Sequence, residues 1–252
     1  STKNAGFTCF GSPSELLDDL SKSKETDVFQ LVENRVNGLS KLRALVGDAN
    51  MDYKEYGSYE LFDNPAIYES CISQLEYLNK QLHKTFNATT FEVFTNATAF
   101  GLDKNSLLIK NNFEGQINTG KMMKKLLHLT REGNIEILNG FNVTDFEFKQ
   151  NRWDVYSPEV VLKTNKLILC NNAFASKFYP EFDLKPARAQ VLITKPIEGL
   201  KLKGCFHMDE GYYYFRNVGN RVLFGGGRNL DFEAEETFEM KTTEKIQKEL
   251  KH

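Results

Sequence analysis

Three side chains suited to binding a carboxylate lie close together in a tyrosine-rich run that begins at Gly211. Successive side chains of a strand point to opposite faces, so Tyr212, Tyr214 and Arg216 are expected on one face. Tyrosine hydroxyls donate hydrogen bonds, and a guanidinium holds a carboxylate through two parallel bonds. We therefore predict a substrate-binding face made of these residues, with Gln116 of a Glu-Gly-Gln loop approaching the same space. An ordinary aromatic strand with a solvated arginine is the alternative.

Two glycine-containing segments indicate close approach of a ligand to the backbone. Three glycines, Gly225–Gly227, end the strand after the tyrosine run, and glycine weakens a strand unless something large lies against the backbone. The glycine run is therefore a candidate for contact with a large ligand. Ser1–Phe7 likewise combines small residues with Gly6, so its backbone amides can face a phosphate or a ring edge. A disordered terminus is the alternative for this second segment.

The cysteines and histidines are too dispersed to indicate a metal site. The cysteines form no Cys-x-x-Cys pair, and His207 lacks the partner four residues away that a helical metal site uses. The four cysteines are Cys9, Cys71, Cys170 and Cys205, and the four histidines are His83, His128, His207 and His252. We predict no metal, and reduced thiols of the kind found in cytoplasmic proteins.

The composition predicts a globular protein. The chain has 252 residues, 40% of them hydrophobic, which is enough for a sizeable core. Its net charge is −2, and no cluster of lysine and arginine is suited to a run of phosphates, so nucleic acid is not expected as a partner. No apolar run approaches the roughly 20 residues that a membrane span needs.

The elements predicted from periodicity alternate between helix and strand. Over 12–84 apolar residues recur at helical spacing, and Ser12 with Glu15 three residues later is typical of a capping box, with Pro13 at the first helical position. From residue 89 onward, short β-branched and aromatic runs predict strands, interrupted by a helix over 119–131. The predicted fold class is therefore mixed α and β.

The predicted strands fall into two groups. The first group covers 135–138, 142–148, 153–156, 160–164 and 166–170, with Gln150 and Asn151 as a hairpin turn. Residues 167–170 are apolar on both faces, as in a parallel strand covered on both sides. The second group, expected to start a separate sheet after Asn172, covers 189–194, 212–216 and 221–224. Residues 241–252 have the pattern of an amphipathic helix.

Five short segments occur in the order and at the spacing found in FAD-dependent oxidoreductases of the D-amino-acid oxidase and glycine oxidase type. They are Ser1–Phe7, Phe113–Ile117, Leu167–Ala173, Pro186–Val191 and Gly211–Arg228. The chain resembles this family over nearly its whole length. The resemblance implies FAD as cofactor. It also implies a fold that combines part of a Rossmann-like FAD-binding domain with an antiparallel-sheet substrate domain.

The resemblance also implies which residues contact the cofactor. They are Ser1, Thr2, Asn4, Ala5 and Gly6 in the first segment, then Val143, Asn171, Asn172, Gly226 and Gly227. The family usually has Ala-Thr-Gly or Ala-Thr-Asn where this chain has Cys-Asn-Asn, so only backbone contacts are implied at Asn171 and Asn172. A core valine is the alternative for Val143. Arg188 and Gln190 lie in the family's Pro-x-Arg-x-Gln segment and are implied to support the site.

The predicted domain organisation has four parts. These are a helical segment with the flavin-contacting loop over 1–88, a substrate-binding sheet domain over 89–134 and 174–240, part of the FAD-binding domain over 135–173, and a helix over 241–252. The sequence contains no Gly-x-Gly-x-x-Gly turn of the dinucleotide-binding type. We expect an internal fragment, with that turn before Ser1 and the last strand and helix after His252. Such a fragment is expected to bind FAD weakly and to be inactive alone.

The activity implied by the resemblance is oxidation of the C–N bond of an amino acid or secondary amine, with hydride transfer to the flavin. Because this chemistry depends on orientation more than on acid–base groups, no catalytic side chain is assigned. The expected partner is a small amine or amino acid. Two alternatives stay open: a non-catalytic module that binds a small ligand, and a flavin-dependent tRNA-modifying or thiazole-forming enzyme of the same fold group. The near-neutral charge argues against the tRNA case.

Overall fold

The computed structural model of the chain describes residues 4–251. The α-helices are α1 (Pro13–Lys22), α2 (Glu25–Val46), α3 (Asp48–Met51), α4 (Pro65–Phe86), α5 (Thr119–Glu132), α6 (Phe232–Glu235) and α7 (Glu244–Glu249). The strands are β1 (Phe7–Thr8), β2 (Ser58–Phe62), β3 (Phe91–Phe94), β4 (Leu107–Asn111), β5 (Gly115–Gln116), β6 (Asp145–Lys149), β7 (Arg152–Tyr156), β8 (Val161–Thr164), β9 (Val191–Ile193), β10 (Cys205–Met208), β11 (Tyr213–Val218) and β12 (Arg221–Gly226). The mixed α and β class predicted from the sequence is confirmed.

The chain forms two compact units. The first takes in the chain up to Leu129, Ala189–Leu230 and the chain from Thr242, and the second takes in Thr130–Arg188 and Asp231–Lys241. These units divide the chain at other positions than the four parts predicted from the sequence, which stay a prediction. Within residues 4–251, no helix is both long enough and apolar enough to span a membrane.

A seven-stranded sheet organises the first unit. Its strand order is β3-β4-β2-β10-β11-β12-β9, and every neighbouring pair is antiparallel except β2 and β10, which run parallel. The prediction that the strands after Asn172 belong to a different sheet from those before it is confirmed, since β9, β11 and β12 lie in this sheet and β6, β7 and β8 in another. The pairing of β10 with β2, which joins the late strands to the early ones, was not predicted. A two-stranded sheet of β1 and β5 lies in the same unit.

The two faces of the large sheet differ in character. On one face the rings of Tyr59, Phe206 and Phe215 stack across three strands, with centroids 5.0 and 4.8 Å apart. On the opposite face, residues paired across the same strands are polar, and Glu60, His207 and Tyr214 form one row. Cross-strand aromatic pairs stabilise the sheet, so the aromatic face holds the polar face in register.

Helices α1, α2 and α4 pack together on the early part of the chain. Buried side chains of these helices form one core cluster with strands β2, β3 and β4; they include Leu16, Val28, Val32, Leu78, Leu82, Phe62, Phe91 and Ile109. The predicted capping feature is present in part, since the Glu15 carboxylate accepts a hydrogen bond from the Ser12 amide at 2.8 Å. The apolar periodicity thus predicted these helices correctly, whereas the short strand β2 inside the same region was not predicted.

The second unit contains a three-stranded antiparallel sheet of β6, β7 and β8. Its first hairpin turns at Gln150 and Asn151, which both have positive φ, 52° and 63°, so the predicted turn is confirmed. Two predicted strands in this unit are wrong, since 135–138 and 166–170 have no regular structure and Ile168 is 81% exposed. A strand forms by pairing, and no described strand pairs with either segment.

Candidate functional site

Arg216 links three separate parts of the first unit. The residue is buried, its Nε donates a hydrogen bond to the carbonyl of Ala5 at 2.5 Å, and its Nη2 donates one to the carbonyl of Ile117 at 3.1 Å. Burial lowers the pKa of Arg216, although a guanidinium stays protonated at any physiological pH. The structure therefore does not place this arginine on a solvated surface. Its binding of a substrate carboxylate stays a prediction.

The N-terminal loop is held against the strand β5. The amide of Ile117 donates to the carbonyl of Gly6 at 2.8 Å, and the amide of Gly6 donates to Asn4 Oδ1 at 2.7 Å. Gly6 has φ +78°, and a Cβ at this position would lie 2.5 Å from the Ile117 oxygen. Only glycine fits here, so the small residue predicted from the sequence has a steric cause. Asn4, Ala5 and Gly6 are thereby brought to Gln116 and Arg216. Ser1 and Thr2 lie outside the described residues.

Tyr214 and His207 face Phe7 of the same loop. The Phe7 ring meets the rings of His207 and Tyr214 edge to face, with centroids 5.3 and 5.7 Å away. The register of β11 places Tyr214 and Arg216 on one face of the sheet, as strand alternation predicts. Burial raises the pKa of the Tyr214 hydroxyl further above neutral pH, where an ordinary tyrosine is already protonated and can donate a hydrogen bond.

Two of the three consecutive glycines, Gly225 and Gly226, are explained by neighbouring parts of the chain itself. A Cβ at Gly225 would lie 2.6 Å from the Tyr214 ring. At Gly226, where φ is +133°, a Cβ would lie 2.1 Å from the backbone oxygen of Tyr212. These two glycines therefore have an intramolecular cause and are not by themselves a sign of a cofactor. Contact of Gly226 and Gly227 with a cofactor stays a prediction.

Tyr212 lies in the turn before β11 and is 38% exposed. It lines a cavity of about 470 Å³ in the first unit, together with Cys9, Gly11, Glu15, Asp18, Asp19, Arg35, His207 and Glu210. Four carboxylates against one arginine make the wall of this cavity acidic. Arg35 donates a hydrogen bond to the carbonyl of Phe10 at 3.0 Å and so is already engaged with the chain. The cavity favours a ligand with a positively charged group.

Glu60 is a buried acid that the sequence did not indicate. It is 3% exposed and accepts hydrogen bonds from the amide of Ser14 at 3.1 Å and from the Ser14 hydroxyl. Burial raises the pKa of Glu60 to about 7, against the effect of these bonds. The residue was missed because the surrounding sequence was interpreted as helical. In β2 it lies beside His207 of β10.

Two buried oxygens near the loop have no hydrogen-bond partner in the described part of the chain. They are Thr8 Oγ1 of β1 and Gln116 Oε1 of β5. The two strands pair directly, Phe7 opposite Gln116 and Thr8 opposite Gly115, so both orphaned atoms belong to one small sheet. Buried polar atoms of native proteins nearly always have a partner, so each orphan needs an explanation.

The remaining predicted cofactor residues belong to the second unit. Val143 is half-buried in the irregular segment before β6, and Asn171 and Asn172 lie at the start of a 3₁₀ turn. Asn172 has φ +48°, and Asn171 Oδ1 is buried with no partner among residues 4–251. A sharp turn with an orphaned amide oxygen is compatible with the predicted backbone contacts, which stay a prediction.

Arg188 and Gln190 have structural partners in different units. In the second unit, Arg188 and Glu235 form a bidentate ion pair with distances of 2.8 and 2.9 Å, and Glu235 is 1% exposed. In the first unit, Gln190 donates a hydrogen bond to the hydroxyl of Thr243 at 2.7 Å and accepts one from its amide at 3.0 Å. Both residues thus stabilise the fold where the chain enters and leaves the second unit.

Comparison with known proteins identifies the family. The family model of the DAO, or FAD dependent oxidoreductase, family matches residues 1–252. The chain belongs to this family. The resemblance noted in the sequence is thereby confirmed, and FAD is the cofactor of DAO proteins. No curated protein matches the chain.

Several solved structures share the fold of this chain. Iminodiacetate oxidase from Chelativorans sp. BNC1 has a TM-score of 0.73 at 16% identity, covering 99% of this chain and 66% of that one. Glycine oxidase from Bacillus cereus ATCC 14579 has a TM-score of 0.68 at 16% identity, covering 99% and 67%. L-proline dehydrogenase from P. horikoshii has a TM-score of 0.63 at 14% identity, covering 84% and 58%. The chain thus spans about two thirds of the first two structures.

The residues present fit the cofactor of the DAO family at the first unit's small sheet. Thr8 Oγ1 and Gln116 Oε1 are buried acceptors without a described partner, which a bound group with N–H or O–H donors would satisfy. The loop at Asn4–Gly6 is held beside them by Arg216 and Ile117. Thr8 was not predicted from the sequence, because a single threonine carries no signal until its pairing with β5 is known.

Proposed function

We propose that this chain takes part in the FAD-dependent oxidation of the C–N bond of an amino acid or a secondary amine. Membership of the DAO family supports an FAD-dependent oxidoreductase. The fold neighbours that are named iminodiacetate oxidase and glycine oxidase support an amine substrate, at 16% identity. The main structural support is the pair of hydrogen bonds from Arg216 to the carbonyls of Ala5 and Ile117. They hold the loop beside the side-chain oxygens of Thr8 and Gln116, which have no partner in the described part of the chain.

On the cofactor side, the loop Asn4–Gly6 and the orphaned oxygens of Thr8 and Gln116 would hold FAD. Bound FAD would supply the hydride acceptor for this chemistry, and the residues of the chain would supply orientation and electrostatics. The buried cation of Arg216 stabilises negative charge near the loop, because charges interact more strongly away from water. Val143, Asn171 and Asn172 of the second unit are proposed to contact the nucleotide portion.

On the substrate side, the charges of the first unit suit a molecule with both an amine and a carboxylate. The carboxylates of Glu15, Asp18, Asp19 and Glu210 line one cavity and attract an ammonium group. Tyr214, whose hydroxyl is protonated at neutral pH, and Arg216 are the proposed partners of the carboxylate. Tyr212 at the cavity wall is proposed to contact the substrate as well.

The decisive experiment follows flavin reduction without oxygen. The polypeptide that contains this chain is expressed, tested for bound flavin and mixed anaerobically with glycine, iminodiacetate and a series of D-amino acids. We expect visible flavin absorbance that bleaches with at least one of these substrates, and slower bleaching with the matching amide, which lacks the carboxylate. The amide is the matched control because it keeps the amine.

Other outcomes point to the alternatives. Flavin that no amine or amino acid bleaches contradicts the proposal and favours a different flavin chemistry in the same family. Binding of amines without any flavin in the protein favours a ligand-binding module. Equal rates with acid and amide would refute the role of Arg216 and Tyr214 while leaving amine oxidation intact.

A further inference from the structure

A group of three potential metal ligands, two of them buried and Cys9 partly buried, lies beside the acidic cavity. Cys9 Sγ is 3.4 Å from His207 Nε2, and these two atoms and a carboxylate oxygen of Glu114 all lie within 4.8 Å of one another. Glu114 is 1% exposed and His207 is 8% exposed. The three residues are far apart in the sequence, 198 positions in the case of Cys9 and His207, which is why spacing gave no indication of them.

Each of the three side chains is positioned by regular structure. Cys9 directly follows β1, Glu114 directly precedes β5, and His207 lies within β10. One oxygen of Glu114 accepts hydrogen bonds from the amides of Phe10 and Gly11, at 2.6 and 3.2 Å, which fixes the orientation of the carboxylate. Such outer contacts to a metal-binding carboxylate are typical of preorganised sites.

The group offers a thiol, an imidazole and a carboxylate as ligands. A buried carboxylate such as that of Glu114 is costly without a compensating charge, which a bound cation would supply.

We propose that Cys9, Glu114 and His207 bind a divalent cation of the zinc type. In a tetrahedral zinc site the Cys sulfur and the His nitrogen lie about 3.6 Å apart, close to the spacing already present. Thiolate, imidazole and carboxylate are the ligands that Zn²⁺ prefers, and three protein ligands leave a fourth position. Cys9 and His207 both line the acidic cavity, which supplies the route of entry. On binding, the Cys9 sulfur forms a bond to the metal and its proton passes to solvent.

The simpler interpretation of the same atoms is a hydrogen bond between thiol and imidazole. A measurement of metal binding distinguishes the two interpretations, with Co²⁺ as a spectroscopic probe and Zn²⁺ as competitor. The chain is freed of metal and of flavin and titrated with Co²⁺ under reducing conditions. A thiolate bound to Co²⁺ gives a charge-transfer band in the near ultraviolet, and tetrahedral geometry gives intense visible bands.

We expect one Co²⁺ per chain with both kinds of band, and loss of both when Zn²⁺ is added. Cys9→Ser should abolish the charge-transfer band, and Glu114→Gln, which keeps an acceptor for the two amides, should weaken binding by more than about tenfold. Cys170→Ser and His83→Gln are the matched controls, since Cys170 is exposed and neither residue belongs to the group. Both controls should bind as the wild type does.

Two results would overturn the proposal. One is a wild-type chain that gives no charge-transfer band at Co²⁺ well above the protein concentration. The other is a Cys9→Ser chain that retains the band, because the thiolate would then come from elsewhere. Thermal melting of each variant shows whether it is folded, and if Cys9→Ser does not fold, Glu114→Gln and His207→Gln decide the matter. None of these measurements depends on flavin or on oxidase activity. A negative result would therefore refute the metal site without bearing on the proposed function.

Discussion

Replacing Gly226 by alanine tests whether the glycine run is required by the chain itself. The added Cβ would lie 2.1 Å from the Tyr212 oxygen and 2.7 Å from Tyr213 Cα, both backbone atoms that move only if the strand pair moves. The φ of +133° adds strain of about 1–3 kcal/mol for any residue but glycine. Displacing β12 also weakens the bond from the Gly226 amide to the Gln190 carbonyl, at about 1 kcal/mol.

These contributions together predict a loss of about 3 kcal/mol, which lowers the melting temperature of a chain of this size by about 6–12 °C. The assay is thermal unfolding of the chain without FAD, followed by circular dichroism. Because the clash is internal, the loss should appear in the absence of cofactor. A cofactor-only role for this glycine predicts no change under the same conditions.

Two other glycines serve as controls. Gly219 has φ +61°, and an added Cβ there would meet no atom within 4 Å, so Gly219→Ala should cost only about 1 kcal/mol. Gly38 lies inside helix α2 with open space around it, and Gly38→Ala should stabilise the chain by about 0.5–1 kcal/mol. If Gly226→Ala melts no lower than Gly219→Ala, the steric argument is refuted.

Three further substitutions test other contacts. Arg216→Ala should destabilise the first unit by about 1.5–3 kcal/mol in a melting experiment, because two backbone carbonyls lose a charged donor. In the holoenzyme the same substitution should raise KM for carboxylate substrates more than it lowers kcat. An unchanged melting temperature would contradict the observed bonds. Glu60, with its pKa raised from 4.5 to about 7, binds its proton more tightly in the folded state, so stability should fall as pH rises from about 4.5 to about 7. Glu60→Gln should remove this part of the slope, measured as melting temperature against pH, and a slope that persists would assign it to other groups. Glu235→Ala leaves the partly buried Arg188 without its carboxylate partner and should destabilise the second unit by about 1.5–3 kcal/mol, seen as faster hydrogen exchange in β6–β8. Protection equal to the wild type would show that the pair is dispensable.

Sequence patterns correctly predicted the helices and the hairpin turn whose signals lie within their own residues. The long helices α2 and α4 and the helix α5 repeat apolar residues over several turns, and the hairpin at Gln150 and Asn151 carries its own turn chemistry. The strand β2 was missed because five residues are too few to show a period against a helical background. Its position is set by pairing with β10 and β4, which no local pattern encodes.

The sequence pointed to some residues of the candidate site, but not to Thr8 or Glu60 and not to any of the contacts between them. Arg216 and Gly6 were selected for their chemistry, yet their mutual contact depends on a sheet register that the sequence leaves open. The same is true of His207 and Cys9, which are unrelated by spacing and meet only after the strands pair. The segments 135–138 and 166–170 were predicted as strands from their apolar residues but form none, since an apolar run alone does not supply a neighbouring strand to pair with.

The hydrogen bond between Arg216 and Ala5 joins residues that are 211 positions apart, so forming it closes a loop that contains all of the chain between them. During synthesis the loop can pair with β5 once Gln116 has been made, but its bond to Arg216 forms only when almost the entire unit has left the ribosome. The strand β2 can likewise pair with β4 before β10 is available. Contacts of such long range make folding slow and leave an open sheet edge exposed to other chains in the meantime. We expect this protein to refold slowly at low concentration and to aggregate readily at high concentration, with the early helices forming first and the loop around Gly6 ordering last.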